Sequence, residues 1–156
     1  MPEDAKIASE ELETGFDELI DNYQHTIDAK GRMFLPVEYR AVLGKYAWVT
    51  CGMDGCLFAF SEKQWREFRG KIENLPLANA RNMQRFFISN AKKCELDTQG
   101  RISVPQSLRD FAGITRDVTI AGVSKRFEIW DREKWQQLNS SITNDMIVDA
   151  LDFSGI

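Results

Sequence analysis

The amino-acid sequence predicts an α+β fold made of two tandem β-β-α-β-β-α repeats. The main observation is a segment that occurs twice: residues 28–44 read DAKGRMFLPVEYRAVLG and residues 97–113 read DTQGRISVPQSLRDFAG. Six of the 17 paired positions are identical, at a constant offset of 69 residues. Similarity at a fixed offset is the mark of a repeated structural unit, so we expect two copies of one small fold.

Chain length indicates that the two copies share one core. The chain has 156 residues and is 43% hydrophobic, whereas a single copy of roughly 60 residues would bury too little surface to be stable alone. The similarity continues beyond the repeated segment at an offset of 70, where it pairs Gly52 with Gly122, Phe60 with Trp130 and Trp65 with Trp135. Each copy therefore extends through a second pair of strands and a further helix.

The first half of each repeat is predicted to be strand, turn, strand and short helix. In the first copy the strands are 24–28 and 33–35, and Gly31 supplies the positive φ angle of the turn between them. Pro36 suits the first position of a helix, which we expect to end at Gly44. The same order follows in the second copy, from residue 93 to Gly113.

The second half of each repeat is predicted to be a hairpin followed by a helix. Strands 48–51 and 56–60 flank an Asp-Gly turn signal, and Ser61 is a good N-cap for a helix over 62–75. A further helix is predicted over 77–93. The corresponding part of the second copy has strands 118–122 and 126–130, with a final helix capped by Asp131.

Charge is distributed unevenly along the chain. The positions where its sign changes give the expected boundaries between the two ends and the repeats. The formal net charge is −4, yet residues 22–138 carry 19 basic and 13 acidic side chains, a net of +6. The acidic pI therefore arises from the two ends. We expect a disordered acidic extension over 1–21, repeats over 22–91 and 92–142, and an acidic tail over 143–156. A basic body between acidic ends favours a polyanionic partner.

The repeated Asp-x-x-Gly-Arg turns carry the candidate functional residues. Such a turn needs its glycine, Gly31 or Gly100, but nothing in turn geometry requires an arginine directly after it. Asp28 and Asp97 can each hold the following arginine in one orientation. Arg32 and Arg101 would then suit bidentate contact with phosphate or a guanine edge. A purely solvated arginine is the alternative for either turn taken alone.

Three further basic residues stand beside these turns. Lys30 adds a charge to the first turn, at the position where the second turn has Gln99, so the turns are expected to be unequal. Arg40 and Arg109 occupy matching positions late in each short helix. They could interact with the helix dipole, form an internal ion pair or contact DNA.

Composition argues against catalysis, a resident cofactor, a metal site or membrane insertion. The chain has one histidine and three cysteines with no C-x-x-C pair. Phosphate-loop, dinucleotide-binding, zinc-protease and serine-hydrolase motifs are missing. No apolar run reaches the roughly 18 residues of a membrane span. We therefore expect a cytoplasmic, non-enzymatic protein without a cofactor, and no small-molecule ligand is evident.

These segments resemble the MraZ family of the AbrB-like superfamily. The resemblance is carried by HTIDAKGR from residue 25, DGCLF from 54, LPL from 75, CELDTQGRISVP from 94 and FEIW from 127. It implies a swapped-hairpin β-barrel with flanking helices. The family's D-x-x-x-R element coincides with residues 28–32 and 97–101, and this implies DNA contact by Arg32 and Arg101.

The resemblance also implies function and assembly. It predicts a ring-shaped homo-oligomer that regulates transcription by binding repeated promoter elements in double-stranded DNA. The regulated genes would be the division and cell wall gene cluster, and the protein would be associated with the nucleoid. The alternative is an antitoxin-like module of the same fold that binds a protein partner through its acidic ends.

Overall fold

A computed structural model describes residues 18–156, which contain eight strands and six α-helices. The strands are β1 (Asn22–Thr26), β2 (Arg32–Phe34), β3 (Tyr46–Cys51), β4 (Leu57–Phe60), β5 (Lys92–Glu95), β6 (Arg101–Ser103), β7 (Asp117–Gly122) and β8 (Phe127–Asp131). The helices are α1 (Val37–Leu43), α2 (Glu62–Glu73), α3 (Leu77–Met83), α4 (Gln106–Ala112), α5 (Arg132–Ser141) and α6 (Asn144–Ser154). The mixed α+β class and the repeated element order are as the sequence predicts.

The two repeats exchange strands. Six strands form an antiparallel sheet in the order β1-β7-β8-β4-β3-β5, and β2 pairs with β6 in a separate two-stranded ribbon. Thus β1 and β2 of the first repeat pair with β7 and β6 of the second, while β5 of the second repeat pairs with β3 of the first. Neither repeat could keep this hydrogen bonding alone. Closure of these sheets into a swapped-hairpin barrel stays a prediction.

One hydrophobic core receives equivalent side chains from both repeats. Met33 lies opposite Ile102 in the β2–β6 ribbon, and both side chains are fully buried. The same core contains Leu35 with its counterpart Val104, and Tyr39 with its counterpart Leu108. A second cluster, rich in aromatic rings, packs α2 against the sheet through Trp65, Phe60, Phe58, Phe87 and Trp130. Trp65 is buried in this cluster, and its counterpart Trp135 packs against it while partly exposed.

The predicted helix over 77–93 is too long. The α-helix ends at Met83, a π-helical turn covers Gln84–Ile88, and β5 begins at Lys92. The π-helical turn buries Phe87, whose carbonyl accepts a 2.6 Å hydrogen bond from the Thr50 hydroxyl. Pairing with β3 then draws the following residues into the sheet, which helical periodicity could not reveal.

The two ends of the chain also differ from the sequence expectations. Disorder was expected over 1–21; residues 1–17 lie outside the described part, but Leu19 is fully buried and exchanges backbone hydrogen bonds of 2.9 and 2.7 Å with Ser124. No element was expected in the acidic tail, yet α6 forms there. Thr143 caps its first turn through the Met146 backbone N–H, and Gly155 ends it in the left-handed conformation.

Within residues 18–156, no helix has the length and apolar character needed to cross a membrane.

Candidate nucleic-acid interface

The first turn is held together by one carboxylate. Asp28 Oδ1 accepts hydrogen bonds from the backbone N–H groups of Lys30 at 3.0 Å and Arg32 at 2.9 Å, while Oδ2 accepts from Arg32 Nε at 2.7 Å. Gly31 takes a φ of +81° between them. The ion pair uses Nε, whereas four of the five N–H donors of a guanidinium are on its terminal amino groups and can serve a ligand.

The second turn has the same geometry. Asp97 Oδ1 accepts from the backbone N–H groups of Gln99 and Arg101, both at 2.9 Å, and Oδ2 accepts from Arg101 Nε at 2.8 Å. Gly100 also has a φ of +81°. Every contact of the first turn therefore has its counterpart here, as the duplicated motif predicts.

Both carboxylates are stabilised in the ionised form. The pKa of Asp28 is lowered chiefly by the backbone N–H of Arg32, with smaller effects from its guanidinium and the N–H of Lys30. The pKa of Asp97 is lowered by the corresponding groups of Arg101 and Gln99, with the backbone N–H of Arg101 again first. Each aspartate is thus a fixed anion at neutral pH that orients one guanidinium.

The two arginines lie on the same exposed face of the β2–β6 ribbon. Met33 and Ile102 are buried on one face, so alternation places Arg32, Phe34, Arg101 and Ser103 on the other. Arg32 is directly opposite Ser103, and Phe34 is opposite Arg101. The arginines are therefore diagonal neighbours, with Cα atoms about 7–8 Å apart. The strand exchange brings together two turns that are 69 residues apart in sequence.

Arg40 and Arg109 support the turns of the opposite repeat. Arg40 Nε donates to the Leu35 carbonyl and Arg109 Nε to the Val104 carbonyl, each at 2.9 Å. A Cβ atom added to Gly100 would lie 2.4 Å from Arg40 Nη1. A Cβ atom at Gly31 would lie 2.8 Å from Arg109 Nε.

These contacts add to the structural roles that the sequence suggested for Arg40 and Arg109, which do lie in the last turns of α1 and α4. Their Nε groups bond to carbonyls that precede each helix, and their guanidinium groups pack on the glycine of the other turn. Sequence reasoning missed this cross-repeat support because it requires the strand exchange. Both side chains remain partly exposed beside the turns, so their DNA contact stays a prediction.

Lys30 and Gln99 are both exposed, which keeps the two turns unequal in charge. A groove of about 540 Å³ adjoins the second turn and is lined by Gly44, Lys45, Tyr46, Lys93, Glu95, Leu96 and Asp97. The Lys93 ammonium lies 4.1 Å from the centre of the Tyr46 ring. Apart from Arg101, positive charge near the second turn therefore comes from Lys45 and Lys93.

The three cysteines are free and buried. Burial raises the pKa of the Cys94 thiol to about 11 and also raises that of Cys56. These are the properties of unreactive packing residues. Among the described residues, no group of three or more histidine, cysteine, aspartate or glutamate side chains is arranged to hold a metal ion.

The fold and the site define a class: tandem-repeat α+β proteins that exchange strands and present a pair of oriented arginines on one ribbon. Comparison with known proteins identifies the family. The family of the MraZ protein, described as antitoxin-like, matches residues 19–86 and 87–150. The chain belongs to the MraZ family. The two matched segments coincide with the two repeats, although their boundary falls within the π-helical turn, five residues before the expected one.

Curated relatives cover most of the chain. A protein of Thermoanaerobacter sp. (strain X514) is 43% identical over 138 residues, which are 86% of this chain and 96% of the relative. One from Ligilactobacillus salivarius is 47% identical, covering 84% of this chain and 95% of the relative. One from Heliobacterium modesticaldum is 48% identical, covering 75% and 83%. All three are named "Transcriptional regulator MraZ".

Proposed function

We propose that this chain is a transcription regulator that binds repeated promoter elements in double-stranded DNA through the exposed face of the β2–β6 ribbon. The observation that carries the proposal is the pair of aspartate-anchored arginines, Arg32 and Arg101, on that face. A two-stranded ribbon is narrow enough to enter the major groove, where an oriented guanidinium can bind a guanine edge or a phosphate. The names of the relatives support a role in transcription.

The partner is double-stranded DNA of the division and cell wall gene cluster, bound by a ring of identical chains. Linking several weakly binding ribbons multiplies affinity through effective concentration. DNA binding in turn accounts for the expected association with the nucleoid. A regulator of this kind needs no catalytic residues, and the relatives are named for regulation.

Specific binding to promoter DNA distinguishes this function from the antitoxin-like alternative. That alternative is in line with the description of the family as antitoxin-like. We expect the purified chain to bind a duplex from upstream of its own coding sequence and to protect regularly spaced repeats from nuclease. Binding should weaken steeply with salt because phosphate contacts release counterions. Equal affinity for a shuffled duplex, together with stoichiometric capture of a protein partner, would support the alternative.

The surface of α6 supports self-association. An isolated helix of 11 residues is marginal in water, yet the apolar side chains of this one are exposed, namely Met146, Ile147, Val148, Leu151 and Phe153. It also carries three aspartates and no basic residue: Asp145, Asp149 and Asp152. Such a helix needs a partner with an apolar surface and positive charge.

We propose that α6 of one chain packs on α3 of a second copy. Leu77 on α3 is 77% exposed, and the exposed Arg81 lies one turn further along the same helix. Arg85 is exposed in the π-helical turn that follows. Leu77 offers an apolar contact, and the two arginines offer the positive charge that α6 needs. Because the two surfaces differ, the contact is heterologous and can close into a ring.

Charge reversal tests this contact. Arg81→Glu with Arg85→Glu, or Asp149→Arg with Asp152→Arg, should each lower the average mass measured by sedimentation. Mixing the two variants should restore assembly, because each then offers a surface that complements the other. Unchanged mass for both variants, or no recovery on mixing, would rule out the α6–α3 contact.

A further inference from the structure

We propose that Phe34 makes the two arginine turns unequal readers of DNA. Its ring restrains Arg101 and offers an apolar contact to the bases, so the second turn reads sequence while the first mainly binds phosphate. This inference rests on the proposed function and assigns to Phe34 a positioning and specificity role.

The asymmetry begins at one pair of residues. The offset of 69 makes Ser103 the counterpart of Phe34, so the pseudo-symmetry of the ribbon is broken at this position. The register places Phe34 opposite Arg101 and Ser103 opposite Arg32. Arg101 therefore faces an aromatic ring, whereas Arg32 faces a small hydroxyl side chain.

The aromatic neighbour restrains Arg101. Its guanidinium carbon lies 5.7 Å from the centre of the Phe34 ring, within the range of a cation–π interaction. The Arg101 side chain is 21% exposed, compared with 37% for Arg32, although both form the same aspartate ion pair. Because both Asp97 and Phe34 hold its guanidinium, Arg101 loses less conformational freedom than Arg32 when it binds a base edge.

Phe34 also presents an apolar surface to the DNA. Phe34 is 46% exposed at one end of the ribbon face, opposite Arg101 and two residues along β2 from Arg32. A ring in this position can contact the methyl group of a thymine next to the base pair that Arg101 reads. Burial of the ring against DNA would also explain an exposed phenylalanine on an otherwise polar surface.

The first turn suits phosphate binding better. Arg32 is the more exposed arginine, and the exposed Lys30 lies two residues before it. Two exposed cations can bind a phosphate backbone without requiring one base sequence. The second turn has the neutral Gln99 in place of Lys30, so it contributes less to the sequence-independent attraction between the protein and the DNA phosphates.

The test compares affinity and base preference. The duplex comes from upstream of the protein's own coding sequence, and each base pair of one repeat is changed in turn. Phe34→Ala should weaken binding about 2–5-fold for each bound subunit, the effect of one exposed cation–π contact, and should relax preference at one or two adjacent base pairs of the repeat. Its salt dependence should match the wild type. Lys30→Ala should weaken binding equally across the duplexes and lower the salt slope by about 1 for each bound subunit.

Two controls separate this role from a structural one. Ser103→Ala, at the matching position of the other strand, should leave base preference unchanged. Phe34→Leu keeps apolar bulk without an aromatic ring, so it should preserve a thymine contact while releasing Arg101. Phe34→Ala should also change base preference less in an Arg101→Ala background than in the wild-type protein, because its effect passes largely through Arg101.

The outcomes also separate this inference from the function on which it rests. Wild-type protein that shows no preference for the upstream duplex would contradict the proposed function itself. Specific wild-type binding, with Phe34→Ala showing the wild-type base preference, would overturn only the role of Phe34. Full additivity of Phe34→Ala and Arg101→Ala in base preference would also overturn it.

Discussion

Arg32→Ala should abolish detectable binding to the upstream promoter duplex while leaving the folded oligomer intact. A hydrogen bond from a guanidinium to a phosphate is worth about 1.5–3 kcal/mol, and the substitution removes such a contact from every subunit on the DNA. Because linked subunits bind together, these losses multiply in the overall affinity. Arg32 is partly exposed, so its removal should change thermal stability little. Gel-shift titration and sedimentation would measure the two effects.

Arg66→Ala is the matched control for this variant. Arg66 is also an exposed arginine paired with an acidic residue four positions earlier, Glu62 at 3.1 Å, but it lies on α2 and not on the ribbon. Its removal should leave affinity close to the wild-type value. Arg32→Lys adds a further comparison, since it keeps the charge and loses the planar fork. Equal affinities for Arg32→Ala and Arg66→Ala would show that the first turn does not bind DNA.

Gly31→Ala should destabilise the fold by about 2–5 kcal/mol, from left-handed backbone strain and overpacking together. At a φ of +81°, the new Cβ atom would lie 2.4 Å from the Val104 carbonyl oxygen. Neither that backbone atom nor Gly31 can move freely, because the Val104 N–H donates to the Gly31 carbonyl at 2.7 Å. Denaturant unfolding would measure the loss.

Gly70→Ala gives a control with the opposite sign. Gly70 lies within α2, and an added Cβ atom would meet nothing within 4 Å. This change should therefore stabilise the protein by about 0.5–1 kcal/mol, because alanine favours a helix interior. A Gly31→Ala variant with the unfolding midpoint of the wild type would mean that the cross-repeat approach at the turn is looser than described.

The architecture of each repeat could be predicted because its signals are local. Gly31 and Gly100 mark positive φ angles, Pro36 and Pro105 precede short helices, and Ser61 caps α2. The pairing of strands could not be predicted from such signals. Periodicity shows which face of a strand is buried but not which strand lies beside it, so the β2–β6 ribbon emerges only in the structure.

The candidate site was likewise predictable in part. Asp28, Arg32, Asp97 and Arg101 could be found because the motif occurs twice with its ion pair encoded within five residues. The support of each turn by Arg40 or Arg109 of the other repeat, and the contact of Phe34 with Arg101, join residues at least 60 positions apart. Such contacts depend on register across the exchanged strands, which composition and spacing do not encode.

The C-terminal helix shows a different limit. Three aspartates without a basic residue suggested a solvated tail, whereas the structure has a capped helix with apolar side chains exposed. The apolar residues of this segment do have helical spacing, but its acidic charge indicated a solvated tail. A surface that becomes buried only in an assembly resembles a solvated one when a single chain is considered.

The central claim, that the exposed ribbon face meets DNA, can be tested by site-specific photocrosslinking. Ser103 is exposed on this face, directly opposite Arg32, and the native cysteines are buried, so a cysteine placed there can be labelled selectively. With a photoactivatable label, Ser103→Cys should crosslink to the upstream duplex, whereas Ser140→Cys on α5 should not. Crosslinking from Ser140→Cys but not from Ser103→Cys, in complexes of normal affinity, would contradict the claim.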